Sequence, residues 1–146
     1  MKTFKLESVL EYRRKQEEKL AKDLAAIEAQ LQRQKAQIHS LKVEKENLLK
    51  SLRKRQKDAK AVWDVVACFH YITVLERRIE KAEEELKAIQ IQHEIKQKQL
   101  IETAKERRII EKLKEKWWQN EQHILIKKEQ FLLDEVAING FIRREG

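Results

Sequence analysis

The side chains of this 146-residue chain that could do chemistry are four histidines, one cysteine and 25 carboxylates. A metal centre needs three or four such ligands brought together, and sequence-local ligands recur at short, regular spacings. His39, His70, His93 and His123 stand far apart and lack partners at those spacings. A lone Cys68 excludes an internal disulfide, fits a reducing compartment, and most simply serves as a small buried hydrophobe. The acid run at 83–85 has the pattern of a solvated helix face. Glycine-rich phosphate loops and nucleophile motifs are absent from the sequence. No catalytic, cofactor-binding or metal-ligating residue is assigned, no cofactor is expected, and the chain is read as non-enzymatic.

The elements that would position any site explain why. Pro is absent, and the only glycines are Gly140 and Gly146. Tight turns and strand hairpins therefore have few means of forming. Ala, Leu, Glu, Lys, Gln and Arg dominate, which is the composition of long helices and coiled coils. Apolar residues make up 41% of the chain and charged ones 40%, so the apolar residues must lie on a stripe. The N-terminal MKTFKLESVLEYRRK has no apolar run of signal length, and no window approaches the roughly 18 apolar residues of a bilayer span. A cytosolic protein is expected.

Two stripes can be traced. Steps of four and three lead from Leu6 through Leu10, Arg13, Glu17, Leu20, Leu24, Ile27, Leu31, Gln34, Ile38, Leu41, Lys45 and Leu48 to Leu52, and ten of these fourteen positions are apolar. A second register joins Ala61, Val65, Cys68, Ile72, Leu75, Ile79, Ala82, Leu86, Ile89, His93, Lys96 and Leu100, with ten of twelve apolar. The two miss each other by one residue across RKRQKDAK (53–60). Such a slip fits a reversal of direction, the competing reading being a stutter in one continuous helix. The expected fold is all-α: a two-helix antiparallel coiled-coil hairpin in a single domain over residues 1–146. Helix 1 spans about 4–52, the bend lies within 53–60 with Asp58 as a candidate cap, and helix 2 spans about 61–139.

A bend centred near residue 57 sets Leu6 opposite a position near 108. The longer C-terminal helix then overhangs the N-terminus, and residues 109–146 have no opposite number. In that overhang the seam keeps Ile110, Trp117, Ile124, Phe131 and Ile138, with Arg107, Lys114, Glu121, Lys128 and Glu135 in the alternate slots. Further apolar residues appear at Ile109, Leu113, Trp118, Leu125, Leu132 and Leu133. A single helix of this kind is marginal alone and gains by entering a partner's groove or by self-association. At the other extremity AVWDVVACFHYIT (61–73) carries one formal charge, Asp64. Trp63, Val66, Phe69 and Tyr71 cannot all face inward with Val65, Cys68 and Ile72, so some rings form a docking patch or wrap the tip.

The net charge of +8 resides in residues 1–60, which hold 17 Lys and Arg against 9 Asp and Glu. Lys42, Lys45, Lys50, Arg53, Lys54, Arg55, Lys57 and Lys60 could neutralise phosphates. Acids interrupt the run and no DNA-binding helix arrangement or zinc finger accompanies it. A basic nucleic-acid-binding rod therefore stands as an alternative to a coiled-coil adaptor.

Three segments resemble the bacterial flagellar export protein family FliJ: FKLESVLEYRRKQEEKLAKDL (4–24), FHYITVLERRIE (69–80), and ERRIIEKLKEKW…KKEQFLLDEVAI (106–138). They span the chain in the family's order. The bend departs from it, since relatives often carry Gly or Ser where this chain has RKRQKDAK. The resemblance implies a stalk in the hexameric flagellar export ATPase that reaches the membrane export gate, promotes ring assembly, and escorts export chaperones. It implies a cytoplasmic location, peripheral at the inner face of the cell membrane. The stalk proteins of the injectisome are similar and form the alternative. By analogy the ATPase ring would be contacted by Leu10, Arg13, Leu113, Trp117, Ile124 and Phe131. The export gate would be contacted by Tyr71 and Leu75, with Leu41 and Leu48 opposite.

Overall fold

The computed structural model describes residues 2–55 and 62–145. Within them the chain forms two α-helices, α1 (Glu7–Arg55) and α2 (Val62–Glu145), of 49 and 84 residues. Both are long because nothing inside them stops a helix: no proline occurs, and Gly140 keeps a helical backbone. α1 begins where the amide of Glu7 donates to the carbonyl of Phe4 (3.2 Å), with the Glu7 carboxylate on its first turn. Arg53, Lys54 and Arg55 occupy its last turn, and Arg143 and Arg144 that of α2, signs that suit the carbonyl end of a helix dipole.

These ends differ from the expected ones. Residues 53–55, assigned to the bend, are the last turn of α1, because cations there favour the helix over a turn. α1 starts at Glu7 rather than 4, and α2 continues past 139 to Glu145. Residues 56–61, which include the proposed Asp58 cap and the Ala61 seam position, lie outside the described residues.

Packing divides the chain into two compact units, Glu18–Leu100 and Met1–Glu17 with Ile101–Gly146. In the first, α1 and α2 run antiparallel, as Lys42–Glu83 (3.2 Å), Lys45–Glu76 (3.2 Å) and Asp23–Lys96 (3.7 Å) require. That reversal excludes the stutter and gives the all-α antiparallel hairpin that the two registers predict. Leu31, Ile38 and Leu52 of α1 meet Ile72, Leu75, Ile79 and Ala82 of α2 in the core. Every described position of both registers between residues 18 and 100 is buried or half-buried. Burying one such Leu or Ile stabilises by about 1.5–3 kcal/mol, which is how a pair of charged helices stays together.

Polar seam residues are each met by a group from the other helix. Gln34 donates to the carbonyl of Ala82 (2.9 Å), His93 lies 3.3 Å from Glu28, and Lys45 and Lys96 have the carboxylates already named. The pairs Lys45–Glu76 and Glu28–His93 share a midpoint between residues 60 and 61, not the expected 57. A register centred on 57 would set Lys45 against Phe69 and Arg13 against Ile101, leaving cations on apolar side chains.

The second unit holds fewer apolar contacts and more ions. Leu10 is fully buried and Thr103 nearly so. Around them Arg13 pairs with Glu106 (2.6 Å) and Lys114 with Glu7 (2.7 Å). Arg107 binds Glu17 and, at 2.8 Å, Glu111, which also accepts from Arg14 (3.4 Å). Phe4 packs on Trp117 with ring centroids 5.8 Å apart. The chain beyond residue 108 is therefore not unpartnered as expected: Glu111, Lys114 and Trp117 all meet α1 or the residues leading into it. Burial ends at Glu121, and every described residue from Gln122 to Glu145 is exposed.

Candidate functional site

Two surfaces are candidates, one in each unit, and both consist of apolar side chains that the intrachain seam leaves uncovered. In the unit of residues 18–100 the surface lies at the start of α2. Trp63 is 86% exposed, and Val62, Val66 and Phe69 are at least half exposed, while Val65 and Cys68 are half-buried and Ile72 is buried. Helix geometry causes the split, since Val65, Cys68 and Ile72 share one face and the neighbouring residues cannot join them. Arg55 of α1 lies 3.7 Å from the Cys68 sulfur.

The residues predicted for gate contact fall near this patch, but not all at the surface. Tyr71 is exposed on the rim of the seam, and its hydroxyl donates to Glu44 (2.7 Å). That hydrogen bond, the Glu44 charge and desolvation together hold the phenol above its ordinary range, against a smaller opposing effect of Arg78. Leu75 is fully buried, and Leu41 and Leu48 are half-buried. Leu75 thus has no surface to offer a partner while the helices are paired; its seam position predetermines this.

In the other unit the surface is the tail of α2. Phe131 is 64% exposed, and Leu125, Ile126, Leu132, Leu133, Val136, Ile138, Phe141 and Ile142 are comparably open. An open apolar groove runs between Ile124 and Phe131, lined also by Lys127, Lys128 and Leu132. At 100° per residue, Ile124, Phe131, Ile138 and Ile142 form one stripe, and Trp118, Leu125, Leu132 and Val136 form another about 120° away. An amphipathic surface helix has one such stripe; apolar residues all round characterise a helix that is enclosed.

Of the residues predicted to touch the ATPase ring, Ile124, Phe131 and Leu113 are exposed. Arg13 is half-buried in its ion pair with Glu106, Trp117 is half-buried against Phe4, and Leu10 is sealed in the seam. Leu10 therefore has no free surface, for the same reason as Leu75. The Arg107 cluster went unread in the sequence, although the signal existed: Glu17 and Arg107 are both charged slots of their registers. Arg107 is held above its ordinary range by the hydrogen bonds it donates to Glu17 and Glu111. Burial pushes Glu111 up, but hydrogen bonds and charge from Arg107 and Arg14 outweigh it and hold the carboxyl below its ordinary value.

The basic run of α1 is partly neutralised. Lys42 and Lys45 are paired with Glu83 and Glu76, and Lys50 lies 4.0 Å from Glu46. Arg53, Lys54 and Arg55 are exposed, whereas Lys57 and Lys60 lie outside the described residues. Among the described residues no cluster of His, Cys, Asp and Glu could hold a metal ion, and no helix is long and apolar enough to cross a membrane.

This is an all-α protein of two antiparallel helices that leaves apolar side chains uncovered at the start of α2 and along its tail. The whole chain, residues 1–146, matches the family described as flagellar FliJ protein, and the chain belongs to that family. It is a component of flagellar protein export, in a family that is non-enzymatic. No curated relative and no solved structure matches it.

Proposed function

We propose that the chain is the stalk of the flagellar export ATPase, entering the hexameric ring with the tail of α2 and meeting the membrane export gate near the start of α2. The observation that carries this reading is the tail itself: 24 consecutive exposed residues whose large apolar side chains point to every side of the helix, interspersed with eight charged ones. A helix of that kind gains most from a cavity that surrounds it, which a ring provides and a flat partner surface does not. Ring contact is assigned to Ile124, Phe131 and Leu113, with Trp117 and Arg13 at the edge of the docked N-terminal turns and Leu10 beneath them. Gate contact is assigned to Tyr71, Leu41 and Leu48, with Leu75 as the buried support of that face. In this role the protein promotes ring assembly, works at the cytoplasmic face of the cell membrane, and escorts export chaperones.

The test is titration of the cognate export ATPase at low enzyme concentration with the full chain and with a chain ending at residue 121. The full chain raises hydrolysis and the shortened one does not. Equal stimulation by both would remove the tail from the ring. Tyr71→Ala weakens gate binding and leaves ATPase stimulation unchanged; an unaltered gate affinity would remove that half of the reading.

A further inference from the structure

The seam of α2 does not end where α1 does. Steps of three and four from Glu121 give Ile124, Lys128, Phe131, Glu135, Ile138 and Ile142, and none of these last six is covered. We propose that this stripe is an interface between two copies of the chain, whose tails pair antiparallel with Lys128 of each against Glu135 of the other.

Charge selects both the occupant and its direction. A parallel pair would stack every slot on itself, Lys128 on Lys128 and Glu135 on Glu135, and like charges facing across a seam are destabilising. An antiparallel pair turns each of these into a contact of opposite sign. α2 already treats its charged slots this way within its own unit, where Arg107 meets Glu17 and Lys114 meets Glu7 across an antiparallel seam. Lys128 and Glu135 repeat that pattern with no carboxylate or cation of this chain opposite them among the described residues.

Length agrees with charge. Pairing Lys128 with Glu135 puts the two-fold axis beside Phe131, about two residues from the middle of the uncovered stretch Gln122–Glu145, so Gln122 of one tail faces Phe141 of the other and most of each tail is covered. The second tail then stops close to where Phe4 covers Trp117. Its Arg143 and Arg144 approach Glu121, and the two-fold repeats this contact at the other end, adding a second complementary pair. Ile124 and Phe131, which line the apolar groove, are filled by Ile138 and Phe131 of the second copy. The stripe of Trp118, Leu125 and Leu132 lies outside this interface.

The dimer does not depend on the export reading, although the two engage the same residues and so exclude one another. Light scattering on the purified full chain alone, over a concentration series, tests it. The mass rises from that of one 17.6 kDa chain to that of two. A chain ending at residue 121 stays monomeric. Lys128→Glu changes two contacts from attraction to repulsion and weakens association roughly tenfold, and Lys128→Glu combined with Glu135→Lys restores it. Both residues are exposed, and helical circular dichroism verifies that the fold is unchanged. A single-chain mass throughout, a dimer that survives the truncation, a mass of four chains, or a charge exchange that fails to restore association would each overturn the proposal. No ATPase is present in this measurement, so its failure leaves the stalk reading as it stood.

Discussion

From Leu31 to Leu52 on α1 and from Ile72 to Ala82 on α2 the seam is mainly aliphatic; from Glu7 to Glu17 and from Thr103 to Trp117 it is mainly ionic. Aliphatic burial stabilises in proportion to area and takes little account of which Leu meets which. Partly exposed ion pairs contribute less, about 0–1 kcal/mol each, but they discriminate sharply among registers. The first unit is thus built to hold, and the second to hold in one alignment only. The second is also where α1 begins and the uncovered tail departs, so the alignment there fixes how much of α2 is left free.

The largest expected effect comes from breaking the aliphatic seam. Leu75→Ala removes a fully buried side chain and lowers stability by about 3 kcal/mol in urea unfolding. Leu10→Ala tests whether equal burial means equal cost in the ionic unit; its neighbours are long side chains that can close over the gap, so about 2 kcal/mol is expected. Next comes Arg107→Met, which strands Glu17 and Glu111 and costs about 1 kcal/mol, a cost that shrinks as salt is added. A loss independent of ionic strength would mean that the guanidinium acts by packing alone.

Acid offers a finer instrument. Because the folded chain holds Glu111 below its ordinary value near 4.5, the stability it contributes is present above that value and fades as pH falls through the lower, folded one. Glu111→Gln therefore flattens the pH dependence of stability between those limits, as followed by thermal melts. At the bottom of the scale, Phe131→Ser leaves the stability of the dilute chain within about 0.5 kcal/mol, since most of its ring is already in water. A larger loss would show that the tail is covered after all.

Much of this was legible in the spacing of the residues. The alternation of threes and fours located all the described seam positions from Leu10 to Leu100, because that periodicity is what a two-helix contact demands. The one-residue slip at 53–60 announced the reversal. Its centre was misjudged by three to four residues, since apolar slots are interchangeable and periodicity carries no absolute register. Lys45, His93 and Lys114 supply that register, but only once their partners Glu76, Glu28 and Glu7 are known. For the candidate surfaces the same limit applied. Leu10 and Leu75 are apolar on helices and near plausible contacts, yet the seam they define consumes them, whereas Trp63 and Phe131 escape it.

The neighbours Trp117 and Trp118 turn one structural detail into a signal. Phe4 shields the first ring, while the second is more than half open and Trp63 is almost fully so. Of the three indoles, then, just one changes surroundings when the leading residues lift from α2. Emission of this protein should shift to the red as that junction parts, and a Phe4→Ala chain should begin nearer the shifted colour, giving the molecule an optical gauge of its own docking.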